Sequence, residues 1–168
     1  MGGTIMKLVA LTINRLYGCY DYNIAFNTDV TFIYGANGCG KTTILNITEA
    51  IITGQLFKLF DYNFKKIELS YASSSNLEFI KKIEIVHSKE GLSIEFDGKI
   101  YKFCKADVSE MNRPSGNSRG ILRYYFNRYE FLPKIKKTFN YVYLPLNRSS
   151  VLMIMMMMMS MMMIMITL

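Results

Sequence analysis

The pattern of apolar and polar positions predicts three strands in the first part of the chain, at about residues 7–13, 22–27 and 30–34. The third stretch, Val30-Thr31-Phe32-Ile33-Tyr34, is apolar, β-branched and aromatic, which is typical of a buried strand. We expect these three strands to form one sheet.

A helix is predicted directly after this region. Apolar residues between Thr42 and Ile52 recur at helical spacing, at positions 44, 45, 47 and 51. Gly54 is expected to end the helix, since glycine is common just beyond helix C-termini. Residues 55–60 are expected to add a further helical turn.

Four more stretches, in which apolar and polar residues alternate, predict an antiparallel β-meander over about residues 66–103. They lie at about 67–71, 77–86, 92–96 and 100–103. Asp97-Gly98 is a strong signal for a hairpin, and residues 88–91 are expected to form a longer turn.

The remaining pattern is less regular. We expect a polar loop at 105–120, a helix at about 120–131 and a strand at 138–144. His87, the only histidine, is interpreted as a residue at a strand end, because a catalytic base would need a positioned partner.

The turn between the third strand and the helix carries the candidate chemistry. Its sequence, Gly35-Ala36-Asn37-Gly38-Cys39-Gly40-Lys41-Thr42, fits the phosphate-binding pattern G-x-x-x-x-G-K-[ST], and the flanking strand and helix are the context that this pattern requires. Glycines permit a tight backbone whose N–H groups form an anion site, and the helix N-terminus adds its positive dipole end. The alternative is a glycine-rich turn that merely precedes a helix.

The pattern also assigns roles to two side chains. Lys41 is expected to reach the β- and γ-phosphates of a nucleoside triphosphate, and the Thr42 hydroxyl is expected to bind Mg²⁺. Cys39 occupies a variable position of the pattern, where a small filler is a simpler interpretation than a nucleophile.

The form of the loop, with Asn37 and Thr43 beside the fixed positions, resembles that of ABC-type ATPases, including the RecF and SMC proteins and related AAA-annotated ATPases. The segments 7–18, 22–26 and 143–148 are similar to two opening strands and a later Leu-Pro and Arg segment of these proteins. The resemblance implies an α/β fold, the ABC-type N-terminal lobe of a P-loop NTPase with an antiparallel β-meander subdomain, over residues 6–148.

From the resemblance we expect ATP and Mg²⁺ as ligands, with Thr42 as the metal-binding residue. The implied cofactor-binding residues are Gly35, Asn37, Gly38, Cys39, Gly40, Lys41, Thr42 and Thr43.

Hydrolysis in this family needs parts that are missing here. The sequence contains no Asp-Glu dipeptide for a Walker B strand and no signature motif, and its only glutamine, Gln55, lies too near the P-loop helix for a Q-loop. No residue is therefore assigned a catalytic role. We expect an incomplete lobe that binds ATP and does not hydrolyse it alone. A homodimer, or a partner that supplies the C-terminal half, would complete the site. The expected role is linked to DNA repair or defence.

The net charge of +7 is concentrated in residues 102–137. This segment carries several aromatic residues and three acidic ones, against nine basic residues: Lys102, Lys105, Arg113, Arg119, Arg123, Arg128, Lys134, Lys136 and Lys137. A basic segment rich in aromatic residues suggests nucleic-acid binding. The alternative is a solvated helix whose aromatic residues lie in the core.

Residues 151–168 form a tail with ten methionines and no charged residue. One interpretation is a transmembrane helix, since 18 apolar residues are just long enough. Another is a frameshift, because a methionine tract is an ATG repeat that encodes aspartate in another frame. A tail without a role is the third.

The remaining composition favours a single cytoplasmic domain. The chain has 168 residues and three cysteines, an odd number that does not suggest a disulfide framework. Two other functional classes stay open: a small P-loop kinase with a lid at 113–128, and a membrane-tethered nucleotide-binding protein without enzymatic activity. A GTPase is disfavoured because the sequence has no Asn-Lys-x-Asp motif.

Overall fold

The computed structural model describes residues 6–104, 123, 126–139, 142–144, 153–157 and 163–166. The first seven strands are β1 Met6–Leu16, β2 Tyr20–Ala25, β3 Val30–Ile33, β4 Lys66–Ser73, β5 Asn76–His87, β6 Gly91–Phe96 and β7 Lys99–Cys104. The last three strands are β8 Val142–Leu144, β9 Met153–Met157 and β10 Met163–Ile166. The helices are α1 Lys41–Ile52, a 3₁₀-helix at Leu56–Asp61, and α2 Phe131–Thr138.

Six strands form an antiparallel sheet in the order β2-β1-β4-β5-β6-β7. The four strands predicted for the meander are confirmed within a few residues at their ends. The meander is continuous with the N-terminal strands, because β4 pairs with β1 from Met6 opposite Ser73 to Asn14 opposite Lys66.

The predicted turns of the meander are also present. Asp97 and Gly98 both have positive φ, 52° and 71°, as a tight two-residue hairpin turn requires. At the other end of β6, the N–H of Ser88 donates to the carbonyl of Gly91 at 2.8 Å. Both turns are encoded locally, which explains why the sequence pattern located them.

The prediction that the first three strands share one sheet is wrong for β3. This strand lies in a second sheet, of order β3-β10-β9-β8, where it pairs in parallel with β10. The chain changes sheets at Asn27, whose N–H donates to Thr31 Oγ1 at 2.9 Å and whose amide donates to the Val30 carbonyl at 3.2 Å. The apolar, β-branched run identified the strand, but its partner lies more than a hundred residues further along the chain.

The described parts of the methionine-rich tail are the strands β9 and β10, which pair with each other in antiparallel register. This differs from the membrane-spanning helix considered for residues 151–168. Over the part of the chain that the structure describes, no helix has the length and apolar character needed to cross a bilayer.

The core brings α1, the 3₁₀-helix and α2 together with the six-stranded sheet. Its fully buried side chains include Leu11, Ile13, Ile47, Ile51, Leu56, Leu59, Ile67, Ile83 and Ile135. Helix α1 ends as predicted, with Gly54 at a φ of 70° and its N–H bonded to the Ile51 carbonyl at 3.0 Å.

Helix α2 differs from the prediction. Within the expected helix 120–131, the described positions 123 and 126–128 are helical. A further helix occupies residues 131–138. The strand predicted at 138–144 therefore begins later, and its described part is β8, at 142–144. Pro133 is compatible with this helix because it lies in the first turn, where backbone N–H groups have no intrahelical acceptor. The predicted loop at 105–120 lies outside the described residues.

Candidate nucleotide-binding site

The predicted P-loop connects the C-terminal end of β3 to the N-terminal end of α1. Its centre is the ammonium group of Lys41, which donates to the carbonyl oxygens of Gly35 at 2.7 Å and Ala36 at 2.9 Å. Lys41 is only 7% exposed, and a buried cation needs such partners because desolvation penalises an isolated charge. The loop therefore closes around a positive charge.

Two glycines give the loop its curvature. Gly38 and Gly40 have φ of 84° and 83°, in the left-handed region that side chains disfavour. Gly40 is also packed closely, because a Cβ atom there would lie 2.7 Å from the hydroxyl oxygen of Tyr22. A residue with a side chain at this position would have to displace the tyrosine.

The N-terminus of α1 offers free backbone donors. Gly40 caps the helix without a side-chain bond, and the first turn holds no acidic residue. The N–H of Ile44 donates to the Gly40 carbonyl at 2.9 Å, so the preceding N–H groups of the helix lack an intrahelical acceptor. Together with the helix dipole, these donors form a site for an anion.

The other predicted site residues surround this centre. Asn37, Gly38 and Thr42 are exposed, and Thr43 is half-buried. The Thr42 hydroxyl has no hydrogen bond to any described residue, which leaves it accessible for the metal-binding role predicted from sequence. The described residues include no group of three or more metal-ligating His, Cys, Asp or Glu side chains.

Cys39 is a free, half-buried thiol. Its sulfur lies 4.0 Å from Lys41 Nζ and occupies the space beside Gly35, where a Cβ would approach it to 2.7 Å. This packing against Gly35 agrees with the interpretation of Cys39 as a filler.

Tyr22, which no sequence pattern identified, touches the loop from the six-stranded sheet. Its hydroxyl donates to the Cys39 carbonyl at 3.1 Å, and its ring packs against the core. Burial, with a smaller contribution from the nearby Cys39, raises the pKa of Tyr22, so the hydroxyl keeps its proton at neutral pH. Strand alternation indicates that Tyr22 faces inward, but no local pattern links it to a loop 17 residues away.

A comparison with known families agrees with this geometry. The family model described as an AAA domain matches residues 11–145. The chain belongs to the AAA domain family. The match covers the P-loop of this AAA domain and supports a nucleotide-binding, ATPase-like function, and members of the family generally bind ATP with Mg²⁺. No curated protein matches the chain.

The described aromatic residues of the basic segment 102–137 contribute to the core of this AAA domain. Phe131 is buried, and the Tyr129 ring lies 4.7 Å from that of Phe103. Phe126 packs against the same core. Nucleic-acid binding through this segment stays a prediction, as does the kinase lid at 113–128, most of which lies outside the described residues.

Proposed function

We propose that this AAA domain is the ATP-binding lobe of a RecF/SMC-like ATPase and that it binds Mg-ATP at the P-loop. The observation that carries the proposal is the buried ammonium group of Lys41, held by two loop carbonyls at the N-terminus of α1, where the capping residue Gly40 makes no side-chain hydrogen bond. A cation and several free N–H groups at one point match the charge of a polyphosphate.

The residues have separate tasks in this proposal. Lys41 exchanges its contacts with the carbonyls of Gly35 and Ala36 for phosphate oxygens, which are stronger acceptors because they are charged. The N–H groups at the start of α1 bind the same phosphates, and the Thr42 hydroxyl binds Mg²⁺. When bound, the metal ion neutralises phosphate charge.

Hydrolysis requires a carboxylate near the metal ion, and we propose that a partner polypeptide of different sequence supplies it. The parallel neighbour of β3 is β10, and Ile166 of β10 lies opposite Ile33 of β3. The strands therefore end at the same edge, where the P-loop begins. β10 consists of methionine and isoleucine, and threonine follows it in the sequence, so this edge receives no carboxylate from β10.

The test is to measure the dissociation constant of Mg-ATP by calorimetry for the full chain and for Lys41→Ala. Hydrogen bonds to charged groups contribute about 1.5–3 kcal/mol, so we expect affinity to fall by about 10- to 150-fold. Lys99→Ala is the matched control, because Lys99 is exposed at the start of β7, away from the loop, and should leave affinity unchanged. Equal affinity of Lys41→Ala and the wild type would contradict the assigned site.

An ATPase assay tests the second half of the proposal. We expect the purified chain to bind ATP without appreciable turnover. Efficient hydrolysis that Lys41→Ala abolishes would show that the chain carries its own catalytic carboxylate, and the need for a second polypeptide would be refuted.

A DNA-linked role is the finer part of the proposal. It is supported by three exposed lysines on α2, at positions 134, 136 and 137. Replacing all three by glutamine should weaken binding to a DNA duplex and reduce its dependence on salt concentration, because each phosphate contact releases counterions. Unchanged binding and salt dependence would argue against this surface.

A further inference from the structure

We infer that Tyr22 is a positioning residue for phosphate binding: its hydroxyl holds the Cys39–Gly40 peptide so that the Gly40 N–H is directed at a bound phosphate. This inference rests on the proposed function, because it requires that the P-loop binds a polyphosphate. It concerns a residue outside the P-loop pattern, on a strand of the other sheet.

Tyr22 is itself held in place by the strand that carries it. Strand β2 pairs with β1, and Tyr22 lies opposite Ile13 in that ladder. Its ring packs against the core cluster. The hydroxyl therefore reaches the Cys39 carbonyl, at 3.1 Å, from a strand fixed independently of the loop.

The hydrogen bond from Tyr22 fixes the orientation of the Cys39–Gly40 peptide. In a planar trans peptide, the carbonyl of one residue and the N–H of the next point in opposite directions. The Cys39 carbonyl points at Tyr22, so the Gly40 N–H points away from it. Among the described residues this N–H has no acceptor, which leaves it free to donate to a ligand.

The tyrosine also packs closely on Gly40. A Cβ atom at Gly40 would lie 2.7 Å from the Tyr22 hydroxyl oxygen and 3.3 Å from Cζ. The tyrosine therefore prevents the peptide from moving toward the sheet, while its hydrogen bond prevents rotation. Both contacts act on the residue that caps α1, where the anion site is located.

The test compares Tyr22→Phe with Tyr20→Phe in the full chain. Tyr20 is a matched control, because it lies on the same strand, is 55% exposed, and its hydroxyl has no hydrogen bond to a described residue. We measure the dissociation constants of Mg-ATP and of Mg-tripolyphosphate, a probe that keeps the phosphates and lacks the nucleoside. Thermal denaturation of each variant without ligand measures stability separately.

We expect Tyr22→Phe to weaken binding of both ligands by the same factor, about 3- to 10-fold, as for one orienting hydrogen bond. Tyr20→Phe should change neither. Weaker ATP binding with unchanged tripolyphosphate binding would overturn the inference, because the hydroxyl would then act on the nucleoside. A lower melting temperature with unchanged affinities would also overturn it, since the role would be only structural.

Failure of the inference is distinguishable from failure of the proposed function. If the wild-type chain binds neither ligand, the proposed function is wrong and the inference is overturned with it. If the wild type binds both ligands and Tyr22→Phe binds them equally well, the inference alone is wrong. Hydrogen exchange of the P-loop amides without ligand gives a second readout: Tyr22→Phe should speed exchange at Cys39, whose N–H donates to the Ala36 carbonyl at 3.2 Å, and Tyr20→Phe should not.

Discussion

Gly38 and Gly40 provide a matched pair of alanine substitutions in the P-loop. Their backbone φ angles are nearly equal, 84° and 83°, but their surroundings differ. A Cβ at Gly38 would have no atom within 4 Å, whereas one at Gly40 would meet the Tyr22 hydroxyl oxygen at 2.7 Å. The comparison separates the cost of backbone conformation from the cost of displacing Tyr22.

The expected magnitudes follow from these contacts. Placing alanine in the left-handed region costs about 1–2 kcal/mol, and reduced entropy of the unfolded chain offsets about 0.4–1 kcal/mol of this. Gly38→Ala should therefore lower the free energy of unfolding by about 1 kcal/mol. Gly40→Ala also breaks the bond from Tyr22 to the Cys39 carbonyl, worth about 1 kcal/mol, and should lower it by about 2 kcal/mol.

A double-mutant cycle shows whether the tyrosine causes the difference. In Tyr22→Phe the hydroxyl oxygen is absent, and the nearest ring atom to a Cβ at Gly40 is Cζ, at 3.3 Å. The added cost of Gly40→Ala should then largely disappear, which corresponds to a coupling energy of about 1 kcal/mol between the two sites. Gly38→Ala should cost the same with and without the hydroxyl.

The assay is urea unfolding of the full chain, followed by circular dichroism, for the wild type and five variants. These are the three single substitutions and the two combinations with Tyr22→Phe. The role assigned to Tyr22 is refuted if Gly40→Ala lowers the free energy of unfolding no more than Gly38→Ala does. It is also refuted if the effects of Gly40→Ala and Tyr22→Phe on the free energy of unfolding are additive. Either result would mean that the loop adjusts without disturbing Tyr22.

Three further predictions concern the scaffold that carries the site. Burial raises the pKa of Tyr71 to about 12. The free energy of unfolding should therefore fall as the pH rises above the ordinary tyrosine pKa toward 12, because the unfolded state loses its proton first. In urea unfolding, Tyr71→Phe should lose less stability at alkaline pH than the wild type, and an equal loss would contradict this assignment. A hydrogen bond from Lys82 at 2.6 Å lowers the pKa of Glu68. The contribution of this ion pair to the free energy of unfolding should be fully present above the ordinary glutamate pKa, and it should disappear as the pH falls through the lowered pKa of the folded state. Glu68→Gln should cost about 0.2–1 kcal/mol at neutral pH, as for partly exposed ion pairs, and nothing at pH 2, and a cost that persists in acid would exclude this ion pair as its source. Ile47→Ala removes a fully buried side chain of α1 and should lower the free energy of unfolding by about 2–5 kcal/mol. Ile100→Ala, at a 70% exposed position, should change it by less than about 0.5 kcal/mol. Similar effects at the two positions would argue against the described core.

The sequence by itself determined the features that depend on neighbouring residues. Helix α1 and its stop at Gly54 follow from helical spacing and a left-handed glycine. The Asp97-Gly98 turn follows from two residues that accept positive φ. The P-loop belongs to this class as well, because its glycines, its lysine and the helix that follows are contiguous. The positive charge at Lys41 and the backbone turn of the P-loop can therefore be predicted from the sequence alone.

The tertiary structure decided everything that depends on distant residues. It placed β3 in a different sheet from β1 and β2, beside β10, because alternation reports which face of a strand is buried and does not identify the strand that pairs with it. It also brought Tyr22 to the Cys39 carbonyl from another sheet. Periodicity in one segment reflects the energetics of that segment alone, whereas pairing and side-chain contacts across the fold depend on all segments together.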